Sequence, residues 1–226
     1  MNAPLTCLHY PAPGGAQILL VMLPGAGIAA GDFAAHGMIE AVRAHNLPVD
    51  ITVAHPDMGL YLDDGVTEVL HEAVILPALA RGITRIWLLG ISLGGMGALL
   101  YASVHQQHIE GLFLIAPFLG TRGTVAELTA AGGLAQWRAQ NSAATPAEQR
   151  LLLWLQAQFA KRAARPALYL GYALEDRFAA AHRLLAQNLP PAHVAAVPGE
   201  HDWPSWRALW DQLLTLAPFA GRCHAQ

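Results

Sequence analysis

The sequence predicts an α/β fold in which an open, mostly parallel sheet carries helices on both faces. Three observations predict it. Short continuous apolar runs alternate along the whole chain with longer segments whose apolar residues recur at helical spacing. Of the 226 residues, 54% are hydrophobic and only 13% are charged, which suits strands covered on two sides. Most of the runs end at turn-forming residues, as strands do. The length fits one domain spanning 1–226, large enough to bury an extensive core.

The first run, Ile18 to Leu23, is closed by Pro24-Gly25, and a helix is expected from about Asp32 to His45. A β-branched run from Val49 to Ala54 ends at His55-Pro56. Val66, Val69, Leu70, Ala73, Val74 and Leu76 then mark a helix over about Asp64 to Ala80. The third strand, Arg85 to Leu89, runs into Gly90-Ile91-Ser92-Leu93-Gly94-Gly95, from which a helix leaves toward Gln106. Gly95 and Gly97 are expected to let that helix pack closely on the sheet. Further strands are Leu112 to Ala116, Ala167 to Gly171 and Val194 to Val197. Helices between strands make right-handed parallel crossovers. About 45 residues separate the fourth and fifth runs, more than one crossover requires, so roughly 120–165 is expected to form a helical cap inserted in the fold, with Trp137, Trp154 and Phe159.

Composition also excludes. A net charge of −3 leaves no basic stripe for phosphates, so nucleic acid is not an expected partner. Lys161 is the sole lysine and follows no glycine-rich loop, which removes a phosphate-binding loop and a Ser-x-x-Lys acylase. Cys7 and Cys223 form no C-x-x-C pair or metal spacing and read as thiols of a reducing compartment, a disulfide between them being the less favoured pairing. Met1 to Gln17 carries neither Lys, Arg nor an apolar core of a signal, and Ile18 to Leu23 is too short to span a bilayer. A cytoplasmic chain without stable membrane insertion is expected; the sequence leaves its oligomeric state open.

In a parallel sheet of this kind ligands bind beyond the carboxyl ends of the strands, so the chemistry is sought there. After the third strand, Gly90-Ile91-Ser92-Leu93-Gly94 matches G-x-S-x-G. Small residues two positions either side of a serine let the chain double back and present its hydroxyl. A hydroxyl needs a base, and His201 follows the last strand in Pro198-Gly199-Glu200-His201-Asp202. The imidazole needs an orienting carboxylate; Glu175 and Asp176 both follow the fifth strand, and Asp176 is preferred, although adjacent carboxylates cannot be separated by sequence physics. Asp202 precedes Trp203-Pro204-Ser205 and reads as a helix cap. The negative charge of a tetrahedral intermediate calls for backbone N–H donors. Leu93 supplies one, and the loop Pro24-Gly25-Ala26-Gly27 supplies the other, from Ala26 or, as second choice, Gly27.

Rival chemistries fit less well. Gly25-Ala26-Gly27 suggests a dinucleotide turn, but position 30 is alanine and no acid ends the second strand, so no cofactor is expected. His105 and His108 share a helix face without an H-E-x-x-H motif, so no metal is expected. Trp203, Trp206 and Trp210 share a helical face and are expected in the core. Leu151 to Leu155 could either line a pocket for an apolar acyl or alkyl group or cover the sheet.

Taken in order, Leu-Pro-Gly-Ala-Gly, Gly-Ile-Ser-Leu-Gly-Gly, Leu-Glu-Asp-Arg-Phe and Gly-Glu-His-Asp-Trp-Pro-Ser-Trp make the chain resemble the α/β-hydrolase superfamily over about Ile18 to Leu216, and within it the bacterial carboxylesterases and thioesterases. The resemblance implies an α/β-hydrolase fold and a Ser92, Asp176, His201 triad in the family's chain order. It also implies a small-molecule ester substrate. A thioester is the alternative, and a non-catalytic ligand-binding protein is a third. Many relatives begin the oxyanion loop with His-Gly, where this chain has Pro24-Gly25.

Overall fold

The computed structural model describes residues 5–62, 65–140, 142–161 and 166–216. Among these, seven strands form one sheet: β1 (Thr6–Tyr10), β2 (Ile18–Leu23), β3 (Val49–His55), β4 (Arg85–Ile91), β5 (Gly111–Ile115), β6 (Ala167–Ala173) and β7 (Val194–Val197). Their order across the sheet is β1-β3-β2-β4-β5-β6-β7. The six strands expected from apolar runs are parallel neighbours in this order. The strand β1 was not anticipated. It pairs antiparallel with β3 at the sheet edge and has only partly buried or exposed residues, so its segment lacks the continuous apolar signature that marks the others.

Because side chains alternate along a strand, one apolar run feeds two cores. From β2, Ile18, Leu20 and Met22 enter the core on one face, while Leu19, Val21 and Leu23 enter the other. The first face is covered by α1 (Asp32–Ala35), α2 (Met38–Ala44) and α10 (Trp203–Leu216). Trp210 is fully buried there and its Nε1–H donates to the Met38 carbonyl at 2.9 Å, which ties α10 to α2. Truncating such a side chain to alanine costs about 3–5 kcal/mol. Asp202 accepts from the Ser205 amide at 3.0 Å and so caps α10, as its position suggested.

The second face is covered by α4 (Gly65–Leu70), α5 (Leu76–Ala80), α6 (Leu93–His105), α8 (Pro146–Phe159) and α9 (Ala179–Ala186). Between β5 and β6 lie α7 (Arg122–Ala130) and α8. Trp137, Leu151, Leu152 and Leu155 are buried in the core of this face, where α8 packs against α6. Residues 162–165 of the expected insertion lie outside the described residues.

Two expected helices are interrupted. The helix expected over Asp32 to His45 breaks at Gly37, which adopts φ 74° and closes α1 with its N–H on the Ala34 carbonyl before α2 begins. The helix expected up to Ala80, whose first residue Asp64 lies outside the described residues, contains a π-helical segment, His71–Ile75, between α4 and α5. Pro77 has no N–H to give to the carbonyl four residues back, so the α ladder cannot run uninterrupted through this stretch. A short α3 (Met58–Leu62) precedes α4 and was also not anticipated.

Candidate active site

The turn between β4 and α6 is shaped by missing side chains. A Cβ on Gly94 would fall 2.0 Å from the Leu23 carbonyl oxygen, and one on Gly90 would fall 2.3 Å from the Gly94 oxygen. Neither place has room for an atom. Between them Ser92 holds φ 53° and ψ −116°, a conformation that L residues rarely adopt. Its backbone is fixed from the neighbouring strand: the Ser92 amide donates to the Ile115 carbonyl at 3.0 Å, and the Phe118 amide donates to the Ser92 carbonyl at 2.9 Å. The strained turn is thus clamped by hydrogen bonds rather than free to relax. Of the two glycines expected to let the helix pack closely on the sheet, Gly95 does so, a Cβ there falling 3.3 Å from the Gly90 oxygen of β4, whereas Gly97 makes room for another side chain. A Cβ on Gly95 would meet Pro117, and one on Gly97 would meet the Tyr61 ring.

The structure brings the three predicted side chains together. His201 Nε2 lies 3.0 Å from Ser92 Oγ, and its Nδ1 lies 2.7 Å from Asp176 Oδ2. The Asp176 side chain is fully buried and that of His201 nearly so. The second carboxylate oxygen of Asp176 accepts from the Phe178 amide at 2.7 Å. Burial pushes the Asp176 carboxyl upward, but the hydrogen bonds from His201 and Phe178 outweigh it and hold the group below the usual carboxylate range. It therefore stays ionised, as an acceptor from Nδ1–H must. Glu175, its sequence neighbour, does different work: it is exposed, and its Oε2 accepts from the Gly199 amide at 2.6 Å. The Glu175 amide returns a bond to the Gly199 carbonyl at 3.0 Å.

The aromatic environment of His201 was not legible in the sequence. The rings of Phe178 and Trp206 meet the imidazole edge-on, at centroid distances of 5.2 and 5.0 Å, and Phe118 meets Phe178 in the same way at 5.8 Å. Such edge-to-face contacts fix the plane of the imidazole. Trp206 therefore combines the expected core role with contact to His201, Trp210 is core, and Trp203 is partly buried and stacked on His36 at 4.3 Å. Below the site, fully buried His182 lies with Nε2 3.0 Å from the Pro117 carbonyl. Burial lowers its pKa to about 4, against the opposing pull of Asp176.

Leu93, Ala26 and Gly27 line one cavity of about 260 Å³. Among the described residues, the amides of Ala26 and Leu93 donate to no protein group. A second cavity of about 340 Å³, mostly apolar, is bounded by Met96, Phe118, Pro146 and Ala147. Met58, Tyr61 and Leu93 belong to both and form the ridge between them. The apolar wall thus comes from the start of α8, not from Leu151 to Leu155.

His105 and His108 lie with ring centroids 6.4 Å apart. The His105 ring stacks on His71 at 4.0 Å, and among the described residues no group of three or more His, Cys, Asp or Glu is disposed to hold a metal. Cys7 has no disulfide partner among the described residues, and Cys223 lies outside them. Among the described residues no helix is long and apolar enough to cross a membrane.

The family model described as the alpha/beta hydrolase fold matches residues 68–189, more than half of the chain. The chain belongs to the α/β-hydrolase fold family. Solved structures share its architecture. The peroxisomal α/β-hydrolase Lpx1 of Saccharomyces cerevisiae is 13% identical, with 98% of this chain and 84% of that one covered and a TM-score of 0.65. A monoacylglycerol lipase of Paleococcus ferrophilus is 14% identical over 95% of this chain and 100% of that one, with a TM-score of 0.61. An S-formylglutathione hydrolase of Staphylococcus aureus is 16% identical over 89% and 80%, with a TM-score of 0.59. At these identities the likeness is one of fold. No curated protein matches the chain in sequence.

Proposed function

We propose that the chain is a serine hydrolase that cleaves a carboxylic ester of a small, partly hydrophobic substrate through an acyl-enzyme. The observation that carries this reading is the hydrogen-bonded line from Ser92 Oγ through the His201 ring to Asp176, at 3.0 and 2.7 Å. Ser92 Oγ attacks the carbonyl carbon as its proton passes to His201 Nε2, and Asp176 steadies the imidazolium that results. The carbonyl oxygen takes up negative charge and receives N–H bonds from Leu93 and Ala26, with Gly27 as the second candidate in the loop. His201 then gives its proton to the departing alcohol, activates a water on the acyl-enzyme, and returns the proton to Ser92 as the acid leaves.

The apolar cavity supports the preference for a hydrophobic portion, and the names of the neighbours, a monoacylglycerol lipase and an S-formylglutathione hydrolase, support carbonyl hydrolysis of esters or thioesters. We read residues 1–226 as one domain, the stretch at 120–165 as its cap, and the cytoplasm as its compartment. A fluorophosphonate probe tests the nucleophile: wild type is expected to be labelled and Ser92→Ala not. With 4-nitrophenyl esters of increasing chain length, Ser92→Ala is expected to fall by about 10⁴-fold or more in kcat. A Ser92→Ala variant as active as wild type rejects the reading. Matched acyl thioesters in the same assay divide ester from thioester preference.

A further inference from the structure

The hydrogen bonds that hold the backbone of Ser92 lead to one short segment, 115–118. The Ile115 carbonyl accepts from the Ser92 amide and the Phe118 amide donates to the Ser92 carbonyl, so whatever fixes this segment also fixes the serine. The segment is itself strained: Ala116 holds φ 47°, in the left-handed region that residues with a Cβ avoid. Such a conformation persists only where its surroundings over-determine it. On one side the Ala116 amide donates to the Gly171 carbonyl at 2.8 Å, and on another Pro117 lies against Gly95, where an added Cβ would fall 2.7 Å from the Pro117 Cβ.

A further support comes from α9. His182 is completely buried, with Nε2 3.0 Å from the Pro117 carbonyl oxygen. A carbonyl can only accept, so the ring proton sits on Nε2. Nδ1 is then a bare acceptor, buried with no hydrogen-bond partner among the described residues. Burial keeps the ring neutral against the pull of Asp176. An unpaired nitrogen in the interior is unfavourable, so the histidine is not explained by packing alone. What its other nitrogen grips is more telling. The Pro117 carbonyl and the Phe118 amide belong to one peptide unit, which is planar and stiff. His182 holds one end of that plate, and the Ser92 carbonyl is bonded to the other at 2.9 Å.

We propose that His182 is a positioning residue: by holding the Pro117 carbonyl, its Nε2–H sets the peptide plane that carries the Phe118 amide, and through it keeps Ser92 in the orientation from which Oγ reaches His201. This rests on the serine hydrolase reading above. His182 touches neither the reacting atoms nor the substrate.

The test measures kcat and KM for 4-nitrophenyl butyrate, the rate of fluorophosphonate labelling and the urea midpoint in wild type, His182→Gln, His182→Asn and His182→Leu. The amide nitrogen of glutamine stands where the ring has Nε2, that of asparagine stands at the Nδ1 position, out of reach of Pro117, and leucine has no donor. His182→Gln is expected to keep kcat within about threefold of wild type. His182→Asn and His182→Leu are expected to lower kcat by about tenfold or more, to slow labelling in step, and to leave KM within about threefold. A histidine with a purely structural role would move only the urea midpoint and leave kcat per folded molecule unchanged, and that result overturns the proposal. So does a His182→Gln variant that does no better than His182→Leu, or a loss confined to KM. Failure of both His182→Asn and His182→Leu to fold assigns the bond to stability and overturns it as well. In all these cases a wild type that fluorophosphonate labels leaves the hydrolase reading intact, whereas a wild type that it does not label overturns both.

Discussion

The turn at Ser92 and the stretch between β5 and β6 are held in place by opposite means. At the turn the backbone is positioned by what is absent: with a Cβ at Gly94 the chain would run into the Leu23 carbonyl. In the stretch between β5 and β6 it is positioned by two carboxylates. Glu148, 2% exposed, accepts from the Thr121 amide at 2.6 Å, the Thr145 amide at 2.7 Å and Thr124 Oγ1 at 3.1 Å, and so binds the starts of α7 and α8 to one side chain. Glu127 does the same for the loop between those helices, accepting from Ser142, the Ala143 amide and Trp137. Steric exclusion tolerates no added atom. Carboxylate clasps tolerate change in proportion to how deeply they are buried.

The largest effect is expected at the turn. Gly94→Ala forces the backbone of β2 and α6 apart, and urea denaturation is expected to give a loss of about 4 kcal/mol or more, or no folded protein. A variant with wild-type stability would break the contrast. Next comes Glu148→Ala, which leaves two amides and a hydroxyl without their acceptor and is expected to cost about 2–4 kcal/mol in the same measurement. It should also open 120–161 to limited proteolysis before the rest of the chain.

His182 sits where the two regions join, since the Pro117 carbonyl it contacts lies one residue before the amide that holds Ser92. Its pKa is about 4 in the folded protein and near 6.5 when unfolded, so between these values the unfolded chain takes up a proton that the native one refuses. Stability from this group is complete above pH 6.5 and declines as pH falls toward 4, by about 3 kcal/mol at most. Asp176 acts in a lower window. Its folded pKa is depressed, so its contribution holds above the ordinary carboxylate value and is lost as pH falls through the lower folded one. Urea midpoints measured from pH 7 to 4 should therefore slope in wild type and flatten in His182→Gln; an unchanged slope would remove His182 from the account. The smallest effect is expected at Glu127, which is only partly buried, where Glu127→Gln should leave the urea midpoint near that of wild type while Glu148→Ala does not.

These contrasts mark what the sequence could disclose. The six parallel strands were legible because both faces are buried, which leaves uninterrupted apolar runs. The partners Ser92, Asp176 and His201 were legible because each follows such a run. Choosing Asp176 over Glu175 was a preference among neighbours, and only the fold separates them, by sending one carboxylate inward to the imidazole and the other to Gly199. The edge strand β1 escaped notice because an exposed edge needs no apolar run. Gly37 broke a helix that periodicity alone would continue, and Pro77 coincided with a π segment where an unbroken α ladder was expected. The ring of aromatics around His201 is assembled from three distant segments, and no local pattern announces it. The two carboxylate clasps are likewise tertiary, apart from the Thr145 to Glu148 spacing, which is a capping box.

The pair of bonds between Glu175 and Gly199 has a mechanical consequence. It stitches the segment bearing Asp176 to the segment bearing His201, so these two drift as one piece, whereas the Ser92 side chain rides on a different strand. On warming, the first separation should come at the oxygen-to-imidazole step, with the acid and the ring still together. Loss of turnover would then precede any change in the imidazole proton signals that report its acidic neighbour.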